Sequence, residues 1–544
     1  MLLRARAGQG QGDPGNVLGG RSGAAAARVP LAGAVRARAD LPRRRSGRPG
    51  DPDLAAARRW GGGVRRAREH PRRRARGSLG ADRALRPWWL EEAPQVEPEP
   101  SLEGDLDVDV AIVGGGYTGL WTALAVRELE PSARVVVLEA VVCGEGPSGR
   151  NGGFLHGYWA SLARARRVFG DGGALAVAEA ASAIVPGVRE FVERRGVDVW
   201  LREAPMLEVS AAPTQDEAIA AALSAARDLG VEEEAVPVGR DELAQRCSSP
   251  KFRRGVLYRE GATVQPARLL RALRAAALGD GVVLHEGTPM VRLRRGSPNV
   301  VETPRGSVRA REVVIAINAA AAGWRPLARR LTAFGSYVVL TEPVPELLET
   351  INWTGGESIV DGRMFLHYFR TTNDGRVVMG SGSGPIGFGG RLDERFTADA
   401  PSIERAEAGL RFLLPGLAEA GVERAWGGPI DVSADHFPFF GTVPGSRVHY
   451  GAGYSGNGVG PSWLGGRILA RLALGIEDEL TALPLVGRSV RPLPPEPIKH
   501  LGGGLVRGAA LRAEEAEQAG RRPALPLRAI AALPRVVGLR VGTR

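Results

Sequence analysis

The sequence predicts an α/β protein: a Rossmann-type domain with an interleaved α+β domain built on an antiparallel sheet. Three observations predict it. An apolar run, VDVAIVG, passes through a glycine-rich turn into a helical pattern and then a second apolar run, RVVVLE. Strand, turn, helix and strand within about 30 residues make a βαβ unit. A second glycine-rich turn that opens a helix, GAGYSGNGVG at 451–460, follows only after a long intervening stretch. Within that stretch, residues 335–385 turn to short strand patterns.

Order is expected to begin near RALRPWWLEEA, ahead of an acidic, Pro-containing linker, PQVEPEPSLEGDLD. VDVAIVG is apolar for most of its length, as a strand covered on both faces must be. The helix after the turn spans about Gly119 to Leu129 and stops before Pro131. Residues 171–230 are mainly helical, and VQPARLLRALRAAALGDGVVLHEG reads as a helix followed by a strand. NVVETPRGSVRAREVVIAINAAA is a hairpin running into a buried strand. GSYVVLTEP, MFLHYFRTT and NDGRVVMGSG are strands, the last opened by an Asn-Asp-Gly turn. IERAEAGLRFLLPGL is helical, and residues 497–544 show helical patches without a core-forming pattern.

With 544 residues and 44% hydrophobic content, the chain can fill a core of two or three units. Its net charge of +12 is unevenly spread. Residues 1–88 hold 21 Arg against six acids, which leaves 51 basic and 54 acidic residues elsewhere. The body is therefore near neutral, and no basic stripe with interleaved aromatics marks a nucleic-acid surface. The Arg-, Gly- and Pro-rich tail, 1–85, has no periodic apolar face and is expected to be disordered. It reads as a basic arm, an organelle transit segment or read-through upstream of the true start. The bias of 70 Arg to two Lys favours the last. Two cysteines, Cys143 and Cys247, make no disulfide framework and suit a reducing cytoplasm. Scattered histidines exclude HExxH and paired metal-ligand spacings, so no metal is expected. No apolar run approaches the roughly 18 residues of a membrane span.

Gly114-Gly115-Gly116-Tyr117-Thr118-Gly119 fits GxGxxG. Gly114 permits the tight turn, Gly116 lets backbone approach a pyrophosphate, and Gly119 lets the helix pack on its strand. The helix N-terminus offers its N–H groups and positive dipole end to that pyrophosphate. Glu139, 20 residues after Gly119, ends the second strand and can accept hydrogen bonds from a ribose. The loop CGEGPSGRNGG, 143–153, can run beside an extended cofactor, with Arg150 near its phosphates. A second helix terminus at 453–459 has no obvious task in a NAD domain. In a flavoprotein, a positive helix end beside the pyrimidine side of the isoalloxazine stabilises the reduced anion, which favours FAD.

VAIVGGGYTGLWTAL, VVVLEA, GPSGRNGGF, VQPARLLRAL, VVIAINA, RAWGGPIDVSADHFPFFG and GAGYSGNGVG stand in one co-linear order over residues 86–480. In this the chain resembles the D-amino acid oxidase superfamily of FAD-dependent oxidoreductases, in the branch resembling gamma-glutamylputrescine oxidoreductase and related amine oxidases. The resemblance implies FAD and hydride transfer from a carbon bearing nitrogen. It puts Gly114, Gly116 and Gly119 on the pyrophosphate and Glu139 on the ribose. Ser148, Gly149, Arg150, Asn151, Gly152 and Gly153 would lie close to the flavin, and Met290 by the adenine. Asn318 ends the second cofactor motif, and Gly453, Gly456, Asn457, Gly458 and Val459 lie by the isoalloxazine. A flavin link to a cysteine in the C-terminal third, found in sarcosine-oxidase-like relatives, has no matching residue. The implied organisation places the FAD-binding domain at 86–165, 256–325 and 425–480. The substrate domain takes 166–255 and 326–424, and 481–544 is a C-terminal extension.

The β-rich stretch is expected to roof the flavin and to carry substrate residues. Candidates are His156, Tyr337, Tyr368, Arg370 and Trp426, with Tyr158 and His367 nearby; core packing is the competing reading of each. Alternation puts Tyr368 and Arg370 on one face and His367 on the other. Relatives that oxidise α-amino acids often carry an arginine in the segment matching GGPIDVSAD, where this chain has Pro429 and Ile430. That points to a cationic amine, with oxygen or another electron acceptor. The alternatives are a flavin dehydrogenase of an amino or 2-hydroxy acid, and a non-catalytic flavin-binding interaction protein.

Overall fold

A computed structural model describes residues 86–536. The tail expected to be disordered lies outside the described residues. The strand Gly104–Val113 begins exposed and ends fully buried between two neighbours. It pairs in parallel with Val135–Leu138 on one side and Gly306–Ile315 on the other. Val283–His285 and Val448–Ala452 extend the parallel core at its two sides. The hairpin Asn299–Thr303 to Gly306–Ile315 forms as the sequence suggests and feeds this core. The helix Tyr117–Leu129 starts two residues before its expected position and packs on the helix Pro461–Leu474. Close approach is possible because Gly466 faces Trp121, where an added Cβ would come within 2.5 Å of the tryptophan Cβ.

A second eight-stranded sheet takes its strands from 206–258 and 331–433. All its pairs are antiparallel except Met206–Ser210 with Ser358–Asp361, which run parallel. The Asn-Asp-Gly turn closes the hairpin His367–Thr371 to Val377–Ser381, with Gly375 in the left-handed region at φ +77°. The two sheets are built from alternating stretches of chain, so neither unit is continuous in sequence. Two expected boundaries move. The strand Arg254–Tyr258 belongs to the second sheet, past the boundary set at 255. Val422–Ser433 pairs with Leu331–Thr341 through to Ser433, so that sheet extends beyond 424.

The helices Leu162–Ala181 and Ile184–Arg195 fill the region read as helical. Counted together with the preceding turn, this stretch is long and apolar enough to cross a membrane by length and composition alone. The run is broken at Gly170, φ +73°, and it packs Ala174, Val177, Ile184, Val188 and Phe191 into the largest core cluster. Apolar residues interrupted by Arg and Glu hid its length from a search for an uninterrupted run. Beyond residue 481 the chain forms two helices, Ile498–Gln518 and Leu525–Val536. The first is fixed by its own side chains to backbone groups of the second sheet's loops. Arg507 Nε donates to Ser383 O at 2.9 Å, and Glu514 Oε1 accepts from Met364 N at 2.6 Å.

Candidate active site

Two cavities meet between the sheets. The first, about 1300 Å³, runs from Met290 and Glu139 past Gly114, Gly116, Ser148 and Asn151 to Gly456, Gly458 and Val459; Asn318 also lines it. Gly114 has φ +109°, and a Cβ there would lie 2.3 Å from Ala316 O, so only glycine fits. At Gly119 an added Cβ would likewise lie 1.9 Å from Gly114 O, so this glycine packs the helix on its strand rather than lining the cavity. The helix that opens at Tyr117 has glycine as its N-cap and no side-chain cap. Glu139 accepts from Gly115 N at 2.8 Å and Val141 N at 3.0 Å, while burial raises its carboxyl above the usual range. An elongated cavity with a bare glycine turn, a helix N-terminus and a terminal carboxylate fits a dinucleotide.

The loop 150–153 is held by three buried side chains, each on a successive carbonyl. Trp426 Nε1 donates to Arg150 O at 2.8 Å, Trp89 Nε1 to Asn151 O at 2.9 Å, and Arg370 Nε to Gly152 O at 2.7 Å. Asn151 adds an internal brace by accepting from Gly153 N at 2.8 Å. Two sequence expectations are corrected here. Arg370 does not face a cavity: its guanidinium is fully buried, also donates to Val264 O at 2.7 Å, and stacks on Trp89 at 5.1 Å. Trp426 is likewise buried against Trp89 and reaches no substrate space. Both position the loop. The role of Trp89 was not read from the sequence, although RPWWLEE opens the stretch in which order is expected.

The second cavity, about 860 Å³, lies under the inner face of the antiparallel sheet. Strand alternation decides who lines it. Ser336, Val338, Tyr368, Ile430 and Glu208 point in, and Ser336 Oγ lies 2.9 Å from Tyr368 Oη. Tyr337, one residue from Ser336, therefore points out. Its hydroxyl donates to Arg395 O and its ring packs among Gly335, Gly384 and Gly427, which removes it from the substrate candidates. His367 faces away as expected, its Nδ1 3.0 Å from Asp361 Oδ2.

His156 and Tyr158 both line the second cavity. Burial lowers the His156 imidazole from its ordinary value. The Tyr158 hydroxyl is buried and has no hydrogen-bond partner among the described residues. Arg150 also lines this cavity rather than the first, donating to Glu145 O at 2.8 Å and Gly427 O at 3.1 Å, so it does not stand by the phosphate end. Gly152, Gly153 and Asn457 line it too, Asn457 donating to Gly157 O at 3.2 Å. Gly149 and Gly453 line neither cavity. Gly453 N donates to the buried Asp431 carboxylate, which also faces Asn318 Nδ2 at 3.4 Å. Burial pushes Asp431 up to about 7. Residues of the C-terminal helices, among them Lys499, Gly503, Val506 and Leu533, complete the cavity wall, a role for which the sequence carried no signal. No cluster of His, Cys, Asp and Glu able to hold a metal occurs among the described residues.

The parallel core, the glycine turn and the cavity ending at a second helix N-terminus define a dinucleotide-dependent enzyme. Residues 109–472 match the model of the DAO family, described as FAD dependent oxidoreductase, and the chain belongs to that family. It is an FAD-dependent oxidoreductase. It is 29% identical over 414 residues to the probable oxidoreductase OrdL of Rhizobium meliloti (strain 1021), covering 73% of this chain and 90% of that one. It is 27% identical over 403 residues to the gamma-glutamylputrescine oxidoreductase of Escherichia coli (strain K12), with the same coverage. Among solved structures, glycine oxidase from Geobacillus kaustophilus matches with a TM-score of 0.58 at 22% identity, over 71% of this chain and all of that one. An L-amino acid deaminase from Proteus vulgaris matches with a TM-score of 0.55 at 17% identity, over 72% of this chain and 96% of that one. These two support the fold.

Proposed function

We propose that the enzyme oxidises the C–N bond of a cationic amine by hydride transfer to FAD, with oxygen or another acceptor reoxidising it. The observation that carries this reading is the junction of the two cavities. Pro147, Asn151, Ile430, Tyr454, Gly456 and Val459 line both, so a molecule under the sheet abuts the end of the cofactor cavity. FAD, when bound, would supply the hydride acceptor, and Gly114, Gly116, Glu139 and the 454–459 turn would hold it. The chain's own task is to orient the amine, take its ammonium proton and keep water out. His156 suits the proton. Its Nδ1 lies 3.1 Å from Gly157 O, so Nδ1 carries the hydrogen and Nε2 keeps a lone pair. Tyr158 suits orientation, because a buried hydroxyl without a partner is satisfied only when a ligand arrives.

Ile430 at the junction supports an amine over a simple α-amino acid, since no guanidinium takes that position. The relative named gamma-glutamylputrescine oxidoreductase supports the same substrate class. The rival, a dehydrogenase of an amino or 2-hydroxy acid, draws on Arg164 and Arg167, which line the cavity elsewhere. Both cysteines are free and buried, which supports work in a reducing compartment such as the cytoplasm.

Anaerobic mixing of the yellow holoenzyme with amines and amino acids tests the reading through flavin absorbance. Bleaching by amines supports it, and recovery with peroxide on admitting air makes the enzyme an oxidase. Bleaching by amino or hydroxy acids alone establishes the rival.

A further inference from the structure

The inner face of the antiparallel sheet carries a carboxylate over the second cavity, away from the first. Val360 pairs with Tyr368 on one neighbouring strand and with Glu208 on the other, so all three side chains share that face. All three line the cavity. The Tyr368 ring packs over Gly152, where an added Cβ would lie 2.8 Å away, on the loop that the tryptophans and Arg370 hold. Strands stand about 4.8 Å apart, which puts Glu208 roughly 10 Å across the sheet from Tyr368.

Glu208 is incompletely satisfied. Tyr258 Oη donates to its Oε2 at 3.0 Å, and Oε1 receives no hydrogen bond from any described residue. Burial raises the carboxyl, and Arg164 partly offsets this. The other charged groups around the cavity are largely engaged. Asp361 holds Arg363 at 2.8 Å and His367 at 3.0 Å, and Lys499 donates to Ala328 O and Leu331 O at 3.3 Å each. Arg164 stands over the Phe437 ring at 6.0 Å, and Arg167 and Glu217 line the wall from their own helices. Glu208 is half-buried and opens on the cavity, where a carboxylate is best met by a cation.

We propose that Glu208 determines substrate specificity by receiving a second, non-reacting ammonium group of the substrate, which makes the preferred substrate a diamine or a longer polyamine. The proposal rests on the amine-oxidation reading. One nitrogen lies at the cavity junction, where its carbon is oxidised, and the second reaches across the sheet's inner face to Glu208 Oε1.

The test titrates the holoenzyme anaerobically with 1,6-diaminohexane, 1,4-diaminobutane and the matching monoamines hexylamine and butylamine. The expected result is tighter binding of the diamine in each pair. Glu208→Gln should shrink that diamine-to-monoamine preference about 10- to 100-fold, the effect of one charged hydrogen bond. Glu208→Asp, which keeps the charge, should restore part of it. Melting and FAD content establish that both variants fold, and Glu208→Asp keeps the test open if Glu208→Gln does not. An unchanged preference in Glu208→Gln, an equal loss for both amines, or a wild type that prefers monoamines overturns the assignment. Perturbation of the flavin spectrum reads binding without turnover and separates the two failures. A diamine that perturbs wild type tightly and Glu208→Gln weakly, without bleaching either, upholds this subsite and rejects amine oxidation.

Discussion

Tyr158 pays a desolvation cost with no partner in the described structure, and the hydroxyl's use must lie with a ligand. Tyr158→Phe is therefore expected to leave the melting temperature unchanged or slightly raised. It should lower kcat/KM for the amine by about tenfold, the effect of one neutral hydrogen bond; a matching fall in melting temperature would make the residue structural. Asp431 makes a different prediction. Its folded carboxyl is raised to about 7 from an ordinary 3.8 by burial. The folded state then binds a proton that the unfolded chain has released, so the stabilisation is complete below about pH 3.8 and is lost as pH rises through about 7. Glu260, also raised to about 7 by burial, adds a slope of the same sign. Asp431→Asn cannot ionise, so its melting temperature should fall less between pH 5 and 8 than that of wild type. Parallel curves would place the Asp431 proton elsewhere. GGPIDVSAD shows an acid in the right segment, but only its place in the wall of the first cavity shows that it turns toward the cofactor side.

Elements explain why some side chains were legible and others were not. A strand's period of two assigns faces without coordinates, and it separated His367 from Tyr368 correctly. Applied from Tyr368 through the register to Ser336, the same rule turns Tyr337 outward, but that step needs the strand pairing, which spans tens of residues. Arg370 shows the limit of the rule. It shares a face with Tyr368, yet it is consumed by three carbonyls, at Gly152, Val264 and Thr371. The C-terminal helices had no readable role because their small and apolar residues match no core of their own; they pack on Phe334, Phe365 and Ile386 instead. Deleting the chain from residue 498 should leave FAD bound and weaken amine binding by about tenfold, the loss of roughly 50 Å² of apolar contact. Iodide quenching of flavin fluorescence should rise in the same variant. Unchanged binding and quenching would mean that the two C-terminal helices only border the cavity.

At the scale of the molecule, the described residues that line both cavities lie between Val113 and Pro534, and the body's near-neutral charge contrasts with the basic first 88 residues. Removing residues 1–85 should therefore leave FAD content, melting temperature and flavin bleaching unchanged; loss of any of them would give the tail a part in the enzyme. The sequence by itself determined the cofactor end of this protein. A glycine turn, an acid at fixed spacing and a βαβ order are local, because they answer to backbone sterics and to a ligand that one stretch of chain can hold. Only the tertiary structure decided the substrate end. There Glu208, Tyr158, Ser336 and Val506 come from separate stretches of chain. What each does depends on which neighbours desolvate it and which partners it finds or lacks, and that is settled only when the two sheets and the C-terminal helices close around one space.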